Sequence, residues 1–160
     1  MGLYNKIFLR FPDVFWQKNP DWIEYLTTTK GIFAEWINLY QGFRQPALIG
    51  FNAGLEAKSI ESLSDADTVS GAMEALRSMY GSSIPDPLSY QITRWSQDPF
   101  TLGSYSYEPV GTSRNTRSVL AQAFSKTLYL AGEATHPDYS ATVDGAYLSG
   151  QRAANQVMAG

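Results

Sequence analysis

The chain has 160 residues, 44% of them apolar and 14% aromatic, so one domain with a sizeable core can form and wholesale disorder is excluded. A net charge of -3 argues against a nucleic-acid-binding surface, and the absence of cysteine excludes disulfides, thiolate metal sites and a cysteine-linked cofactor. The apolar runs are too short for a membrane span, which needs about 18 or more consecutive apolar residues.

The first residues, MGLYNKIFLRFPDVFW, lack the layout of a signal peptide and read as a strand from the outset. We therefore expect the sequence to be a piece of a larger protein. Because nothing in it directs export, we expect a cytoplasmic location.

Four stretches in the first third of the chain predict β-strands, because they are rich in β-branched and aromatic residues and are bounded by turn residues. They are Leu3–Phe11, Ile23–Leu26, Gly31–Tyr40 and Pro46–Phe51. The second and third can pair as a hairpin through Thr27–Lys30, and a turn at Asn52–Gly54 follows the fourth.

The apolar spacing changes to a helical period at Ser64–Tyr80, where Ser64 or Asp65 can cap the start and Gly81 follows the end. The later predicted elements are a strand at Leu88–Trp95, a turn-rich stretch at Asp98–Gly111, a short helix at Asn115–Ala121, a strand at Thr127–Ala131 and a final helix at Val143–Met158. Because strands and helices do not alternate strictly, the pattern predicts an α+β fold around a mixed β-sheet. Neither G-x-G-x-x-G nor G-x-x-x-x-G-K-[ST] occurs, so the sequence contains no self-sufficient nucleotide site.

The segment Leu128–Ala154 reads LYLAGEATHPDYSATVDGAYLSGQRAA and places a helix rich in small residues after a strand and a turn. One interpretation is tight packing of that helix on the sheet. The other is that the N–H groups and partial positive charge of the helix N-terminus meet an electron-rich ligand, with Glu133 accepting hydrogen bonds from a ribose or similar polyol. Composition does not choose between the two.

This segment closely resembles the C-terminal flavin-binding signature of the flavin-containing amine oxidases, especially polyamine and spermine oxidases and lysine-specific histone demethylases. The shared pattern is G-E-x-T-H followed by G-A-x-x-S-G, matched here by Gly132, Glu133, Thr135, His136, Gly145, Ala146, Ser149 and Gly150. The resemblance implies that Glu133 binds the ribityl or ribose part of FAD. It also implies that Ala141, Thr142 and Val143 bind the cofactor, with the Val143 N–H at the edge of the flavin ring.

We draw further expectations for Asp144 and His136, which belong to or lie beside this signature. Asp144 stands where the family usually has a histidine. His136 is the sole histidine and has no partner cluster, so we expect it to be structural and expect no metal site.

Lys6 lies in the stretch YNKIFLRF, on the strand face that it shares with Tyr4 and Phe8. Its residue type alone favours an edge strand or a solvated face. The stretch also resembles the family motif N-K-[IV]-x-L-x-F, whose lysine points at the flavin N5 and holds a water there. The resemblance therefore implies a catalytic role for Lys6, which would position water for flavin reoxidation or imine hydrolysis.

The stretch RWSQDPFTLGSYSYEPVG predicts either a core corner packed by aromatic rings or a functional loop. It resembles the family pattern R-W-x-x-D-P-[FW]-x-x-G-S-Y-S-Y, which lines the flavin and the substrate tunnel. The resemblance implies that Trp95 packs near the flavin and that Tyr105 and Thr142 stand beside the substrate amine. Ser104 occupies the position of the cysteine that bonds to the flavin in monoamine oxidases, which implies noncovalent FAD.

Together these resemblances imply the C-terminal part of an FAD-dependent amine oxidase acting on polyamine-like amines. Loss of a hydride from the carbon next to nitrogen would give an imine that hydrolyses to an aldehyde, and oxygen would regenerate the flavin and release hydrogen peroxide. Residues 1–95 would be a segment of the substrate-binding domain, including the helix at about 64–80, and residues 96–160 the C-terminal part of the FAD-binding domain.

The N-terminal Rossmann half, which holds much of FAD in this family, is missing from the sequence, so we expect the chain alone to be inactive. Two alternatives stay open. The chain can be a noncatalytic remnant or interaction module, or one chain of a split flavoenzyme.

Overall fold

The structure is a computed structural model that describes residues 1–27, 31–113, 115–125 and 127–159. The chain divides into two compact units. One unit is Leu3–Ser104, and the other joins Met1–Gly2 to Tyr105–Gly160.

The unit Leu3–Ser104 contains a five-stranded sheet in its described residues. Its elements in chain order are β1 (Tyr4–Arg10), β2 (Trp22–Glu24), β3 (Glu35–Asn38), α1 (Leu39–Phe43), β4 (Ala47–Ala53), α2 (Gly54–Glu61), α3 (Asp65–Tyr80) and β5 (Ser89–Ile92). The strand order is β2-β3-β4-β1-β5, and each neighbouring pair is antiparallel. The α+β class is confirmed, but the sheet is antiparallel instead of mixed.

The core of this unit lies on one face of the sheet. Strand alternation buries Ile7 and Leu9 of β1, while Lys6 and Phe8, which alternate with them, stay half-buried on the other face. Helix α3 contributes Met73 and Leu76 to the same apolar cluster. Gly50 in β4 has a packing role, because a Cβ there would come within 2.7 Å of the buried Trp36 ring.

The predicted helix at Ser64–Tyr80 is confirmed as α3. The Ser64 side chain accepts a hydrogen bond from the Asp67 N–H, which satisfies one of the free donors of the first turn. The Gly81 N–H donates to the Arg77 carbonyl at the other end. Strong local signals at both ends made this element predictable.

Two helices of this unit were not predicted. Helix α1 begins after Asn38, whose side chain caps it by accepting from the Tyr40 N–H. Helix α2 begins at Gly54, which has a positive φ of 59° directly after β4. The same glycine that indicated only a turn therefore also starts a helix.

The predicted hairpin is confirmed as the antiparallel pair β2 and β3, although both strands are shorter than expected. Its connecting residues 28–30 lie outside the described residues.

The second unit consists of helices and irregular segments in its described residues. These helices are α4 (Thr116–Leu120), a single 3-10 turn at Glu133–Thr135 and α5 (Val143–Ala159). The predicted helices at Asn115–Ala121 and Val143–Met158 are thus confirmed. Among the described helices of the whole chain, none combines the length and hydropathy that crossing a bilayer requires.

The predicted strand at Thr127–Ala131 is wrong. Leu128 makes only an isolated bridge to Phe124, and Leu128 and Leu130 are about half exposed. A strand needs a neighbour to accept its backbone hydrogen bonds, and the described residues place no strand beside this segment. A short apolar run alone therefore misidentified it.

Candidate functional site

Glu133 is held by three hydrogen bonds within the second unit. It opens the 3-10 turn after Gly132, and its Oε1 accepts from the Ser106 N–H at 2.8 Å. Its Oε2 accepts from the Ser106 hydroxyl at 2.8 Å and from the Ala141 N–H at 2.6 Å. The carboxylate thus joins the segment of Ser106, 27 positions away, to the loop that precedes α5, and fixes that loop.

Arg117 stabilises the position of Glu133. Its side chain is only 8% exposed, and its Nη1 lies 4.0 Å from Glu133 Oε2. The guanidinium donates to the Ser106 hydroxyl at 2.7 Å and to the Ala134 carbonyl at 3.1 Å, and Nε pairs with Glu108 at 3.0 Å. Arg117 therefore binds both neighbours of Glu133, Ser106 and Ala134.

These contacts determine the charge state of Glu133. Burial by itself raises the pKa of its carboxyl, but the hydrogen bonds from Ala141 and Ser106 and the positive charge of Arg117 outweigh burial. The pKa of Glu133 is therefore lowered from its ordinary value. The group is a carboxylate at neutral pH and can accept further hydrogen bonds from a hydroxylated ligand.

The residues just before α5 form a tight turn that exposes the start of the helix. Ala141 has a positive φ of 61°, and its N–H is the one bound to Glu133. The Thr142 hydroxyl donates to the Tyr139 carbonyl at 2.7 Å and accepts from the Gly145 N–H at 3.0 Å, so it caps the helix. Val143 is 88% exposed. A helix start of this kind presents N–H groups and partial positive charge to solvent.

Asp144 follows at the exposed first turn of α5. The Thr142 hydroxyl, and then backbone N–H groups, lower the pKa of Asp144. The helix start therefore carries a negative side chain beside its partial positive charge.

Most of the small residues of α5 have a packing role. Gly145, Ser149 and Ala153 form its buried stripe. A Cβ at Gly145 would overlap the Tyr139 carbonyl oxygen, and the Ser149 hydroxyl accepts from the Gly132 N–H at 2.8 Å. The packing interpretation thus accounts for this stripe, while the helix start stays open to a ligand.

Tyr105 and Ala141 line one open cavity of about 340 Å³ in the second unit. Its wall also includes Ser106 and Arg117, the two side chains that support Glu133. Tyr105 is half-buried, and its carbonyl accepts from the Gly2 N–H at 2.7 Å. The structure therefore brings Tyr105, Glu133, Ala141, Thr142 and Val143 into the same unit.

His136 serves the loop before α5. Its Nδ1 accepts from the N–H groups of Tyr139 at 3.0 Å and Asp138 at 3.3 Å. These bonds give it a structural role. In the part of the chain that the structure describes, no group of three or more His, Cys, Asp or Glu side chains could hold a metal ion.

Lys6 lies in the other unit, on the half-buried face of β1 that points away from the core. It is not at a sheet edge, because β1 pairs with both β4 and β5. Its N–H donates to the Thr93 hydroxyl at 2.8 Å, and its carbonyl accepts from the Thr93 N–H at 3.0 Å. Its Nζ lies 5.6 Å from the centre of the Tyr4 ring. Pairing of β1 with β4 and with β5 thus fixes the backbone that carries the Lys6 side chain.

Trp95 is half-buried in the turn after β5 and belongs to the same unit as Lys6. Its carbonyl accepts from the Thr101 hydroxyl at 3.3 Å. Neither Ser106 nor Arg117 was predicted from the sequence as a site residue. The only signal for either was an arginine inside a short predicted helix, and nothing in the spacing linked it to Glu133.

The hydrogen-bonding groups at and near Glu133 fit FAD. A carboxylate with remaining acceptor capacity suits ribityl or ribose hydroxyls, and an exposed helix start suits the electron-rich edge of an isoalloxazine ring. The described residues near Glu133 offer such a group hydrogen bonds and the dipole of a helix start.

Comparison with known proteins agrees with this chemistry. The sequence model described as "Flavin containing amine oxidoreductase" matches residues 1–158. Lysine-specific histone demethylase 1 homolog 1 from Arabidopsis thaliana is 37% identical over 98% of this chain and 19% of its own length. The homolog 1 from Oryza sativa subsp. japonica is 40% identical over the same shares, and the possible lysine-specific histone demethylase 1 from Drosophila melanogaster is 35% identical over 98% and 19%.

The chain spans about a fifth of the length of these curated relatives. The match nonetheless covers almost the whole of this sequence. The chain belongs to the flavin containing amine oxidoreductase family.

Proposed function

We propose that this chain is the C-terminal part of an FAD-dependent amine oxidase that acts on N-alkylated amines. The observation that carries the proposal is the Glu133 carboxylate, kept ionised and fixed beside an exposed helix start. Holding a carboxylate in this way favours a ligand that offers hydroxyl donors, as the sugar-alcohol part of FAD does. FAD, when bound, would accept a hydride from the carbon next to the amine nitrogen and pass the electrons on to oxygen.

The second unit would bind FAD noncovalently. Glu133 would accept hydrogen bonds from the ribityl or ribose hydroxyls, and Ala141, Thr142 and Val143 would contact the flavin ring, with the Val143 N–H as donor. A helix N-terminus stabilises negative charge nearby, which is what a ring that takes up electrons requires. Asp144 works against this effect and tunes its size.

Lys6 and Trp95 would also take part in the reaction. Trp95 would pack near the flavin, and the Lys6 ammonium would hold a water, either for imine hydrolysis or for the oxygen reaction. A lysine on a strand that is paired on both sides keeps its Cα fixed, so the water would be held in one place. Tyr105 would orient the substrate amine, with Thr142 opposite in place of a second tyrosine.

Two substrate classes fit this proposal. The methylated lysine side chain of a protein comes first, because the named relatives are lysine-specific histone demethylases. Polyamines such as spermine come second, because a single tyrosine at the amine resembles spermine oxidases as well as demethylases. In each case the reaction consumes one water molecule, because the imine adds water and splits into an aldehyde and an amine.

The test uses the longest natural reading frame that contains this sequence. The purified protein should show visible flavin absorbance, which trichloroacetic acid should release into the supernatant if FAD is noncovalent. Anaerobic addition of a dimethyl-lysine peptide or of spermine should bleach the flavin, and the substrate that bleaches it faster identifies the class. Absence of flavin absorbance would favour the noncatalytic module, and flavin that appears only after a separate nucleotide-binding chain is added would favour a split enzyme.

The role of Lys6 has its own test in the same protein. Lys6→Met should leave bleaching by the amine intact and slow reoxidation by oxygen or imine release about 10²-fold. Lys58→Met, on the exposed side of α2, is the matched control and should change neither rate. Equal behaviour of the two variants would remove Lys6 from the reaction.

A further inference from the structure

Glu61, at the end of α2, is a buried carboxylate that the reaction proposed above does not use. It is 4% exposed. Its Oε1 accepts from the Asn5 side-chain amide at 2.7 Å and from the Ser96 N–H at 3.1 Å, and its Oε2 accepts from the Ser96 hydroxyl. Acidic residues are rarely buried unless their oxygens are satisfied, and here neutral donors satisfy both.

These donors stand next to the two residues assigned to the reaction in this unit. Asn5 directly precedes Lys6 in β1, and Ser96 directly follows Trp95 in the turn after β5. One carboxylate therefore joins the segment that carries the lysine to the segment that carries the tryptophan.

Further bonds tighten the same junction. The Glu61 carbonyl accepts from the Arg94 guanidinium at 2.7 Å and from the Gln97 amide at 2.8 Å. Arg94 also pairs with Asp65 at 2.6 Å, at the start of α3. The turn at 93–97 is thus bound to the end of α2 by both the backbone and the side chain of Glu61.

Asn5 is oriented by this contact. Its amide nitrogen faces the Glu61 carboxylate, while its Oδ1 is buried without a hydrogen-bond partner in the described residues. Turning the amide over would bring Oδ1 against a carboxylate oxygen, so Glu61 selects the present orientation. A cavity of about 10 Å³ lined by Asn5, Lys6 and Glu61 lies beside it, large enough for about one water.

We propose that Glu61 is a positioning residue that sets the placement of Lys6 and Trp95. This inference rests on the proposed function only for the roles of those two residues. The link between the segments 4–8 and 93–97 is a property of the chain itself and has its own measurement. A carboxylate suits the role because it offers two acceptor oxygens and no donor, which matches the three donors that meet it.

The first experiment measures amide hydrogen exchange in the 160-residue chain. Glu61→Leu removes both acceptors and should raise exchange selectively in the peptides covering 4–8 and 93–97. Glu61→Gln keeps one carbonyl acceptor and can donate to the Ser96 hydroxyl, so it should restore protection in both peptides. Met73→Ala is the matched control, because Met73 is 2% exposed in the same core and its truncation destabilises the unit without removing any of the hydrogen bonds that Glu61 makes.

A purely structural role of Glu61 predicts a different exchange result. Exchange that rises evenly across the unit in Glu61→Leu, as in Met73→Ala, would overturn the inference. Glu61→Gln as impaired as Glu61→Leu would also overturn it, because the hydrogen bonds would then not be what matters. If Glu61→Leu does not fold, Ser96→Ala serves instead, since it removes one donor and should loosen 93–97 but not 4–8.

The second experiment uses the flavin-loaded protein in the longest reading frame. A displacement of about 1 Å can cost about 10²-fold in rate. Glu61→Leu should therefore lower kcat about 10²-fold, with KM changed less than about threefold, and Glu61→Gln should recover most of the loss. Met73→Ala should keep the wild-type kcat in its folded fraction, and an equal loss in Met73→Ala would refute the positioning role.

The two proposals fail separately. A wild-type protein that holds no flavin, or whose flavin no amine bleaches, would refute the proposed function while the exchange result still stands. An active wild type in which Glu61→Leu keeps full kcat and normal exchange would refute the role of Glu61 alone.

Discussion

Replacing Arg117 with methionine should loosen the turn that carries Glu133. Arg117 is almost fully buried and donates three hydrogen bonds, two to neutral groups and one to the Glu108 carboxylate. Methionine fills similar space without a donor. Such bonds contribute about 0.5–1.5 kcal/mol each when neutral and about 1.5–3 kcal/mol when one partner is charged. Because Glu108 and Glu133 are 39% and 22% exposed, water recovers part of this, and we expect a net loss of about 2 kcal/mol.

The loss should depend on pH in a defined direction. The folded-state pKa of Glu133 is lowered, so the stability that it contributes is present above its ordinary value of 4.5 and disappears as the pH falls through the folded value. Without the Arg117 charge that lowering is smaller. Urea unfolding followed by circular dichroism should therefore show the largest deficit of Arg117→Met at neutral pH and a shrinking deficit in acid.

Arg77→Met is the matched control for this experiment. Arg77 makes one ion pair at 2.7 Å with Asp86, and the two side chains are 39% and 81% exposed. Exposed pairs contribute about 0–1 kcal/mol, so this variant should unfold close to the wild type at every pH. If Arg117→Met lost no more stability than Arg77→Met, or if its deficit did not change with pH, the assignment of Arg117 as the support of Glu133 would be wrong.

Three further variants follow from the geometry. Glu133→Gln should lower the flavin content of the full-length protein and flatten the acid dependence of its unfolding, and unchanged flavin occupancy would count against Glu133 as a ligand. Gly145→Ala should cost about 1–3 kcal/mol of unfolding free energy, because its Cβ would overlap the Tyr139 carbonyl, whereas Gly150→Ala on the same helix has open space and should cost less than about 0.5 kcal/mol by the same assay. Ser64→Ala removes the cap of α3 and should cost about 1 kcal/mol, measured by thermal unfolding, with the exposed Ser70→Ala as its control.

Local signals made some elements predictable from sequence. Helix α3 carries its period, its capping serine and its closing glycine within one stretch of chain, so nothing distant decides it. Thr127–Ala131 is a short apolar run typical of a strand, but a strand also needs a neighbour, and neighbours are not encoded locally. The start of α2 was missed because Gly54 reads equally well as a turn.

The candidate site divides in the same way. Glu133, Ala141 and Lys6 could be predicted because they lie in or beside short sequence motifs that are recognisable without a structure. Glu61 and Arg117 were not, because their importance arises from partners in other segments. Glu61 meets Ser96 from 35 positions away, and Arg117 meets Ala134 from 17 positions away. No periodicity or spacing rule anticipates such contacts.

The central location of β1 limits how this part of the protein can change. Asn5, Lys6 and Ile7 alternate between the two faces of the sheet, and both neighbouring strands fix which residue faces which side. Deleting or inserting one residue ahead of this trio would send the ammonium inward and the isoleucine outward. Point substitutions should therefore be tolerated here more readily than any change in length.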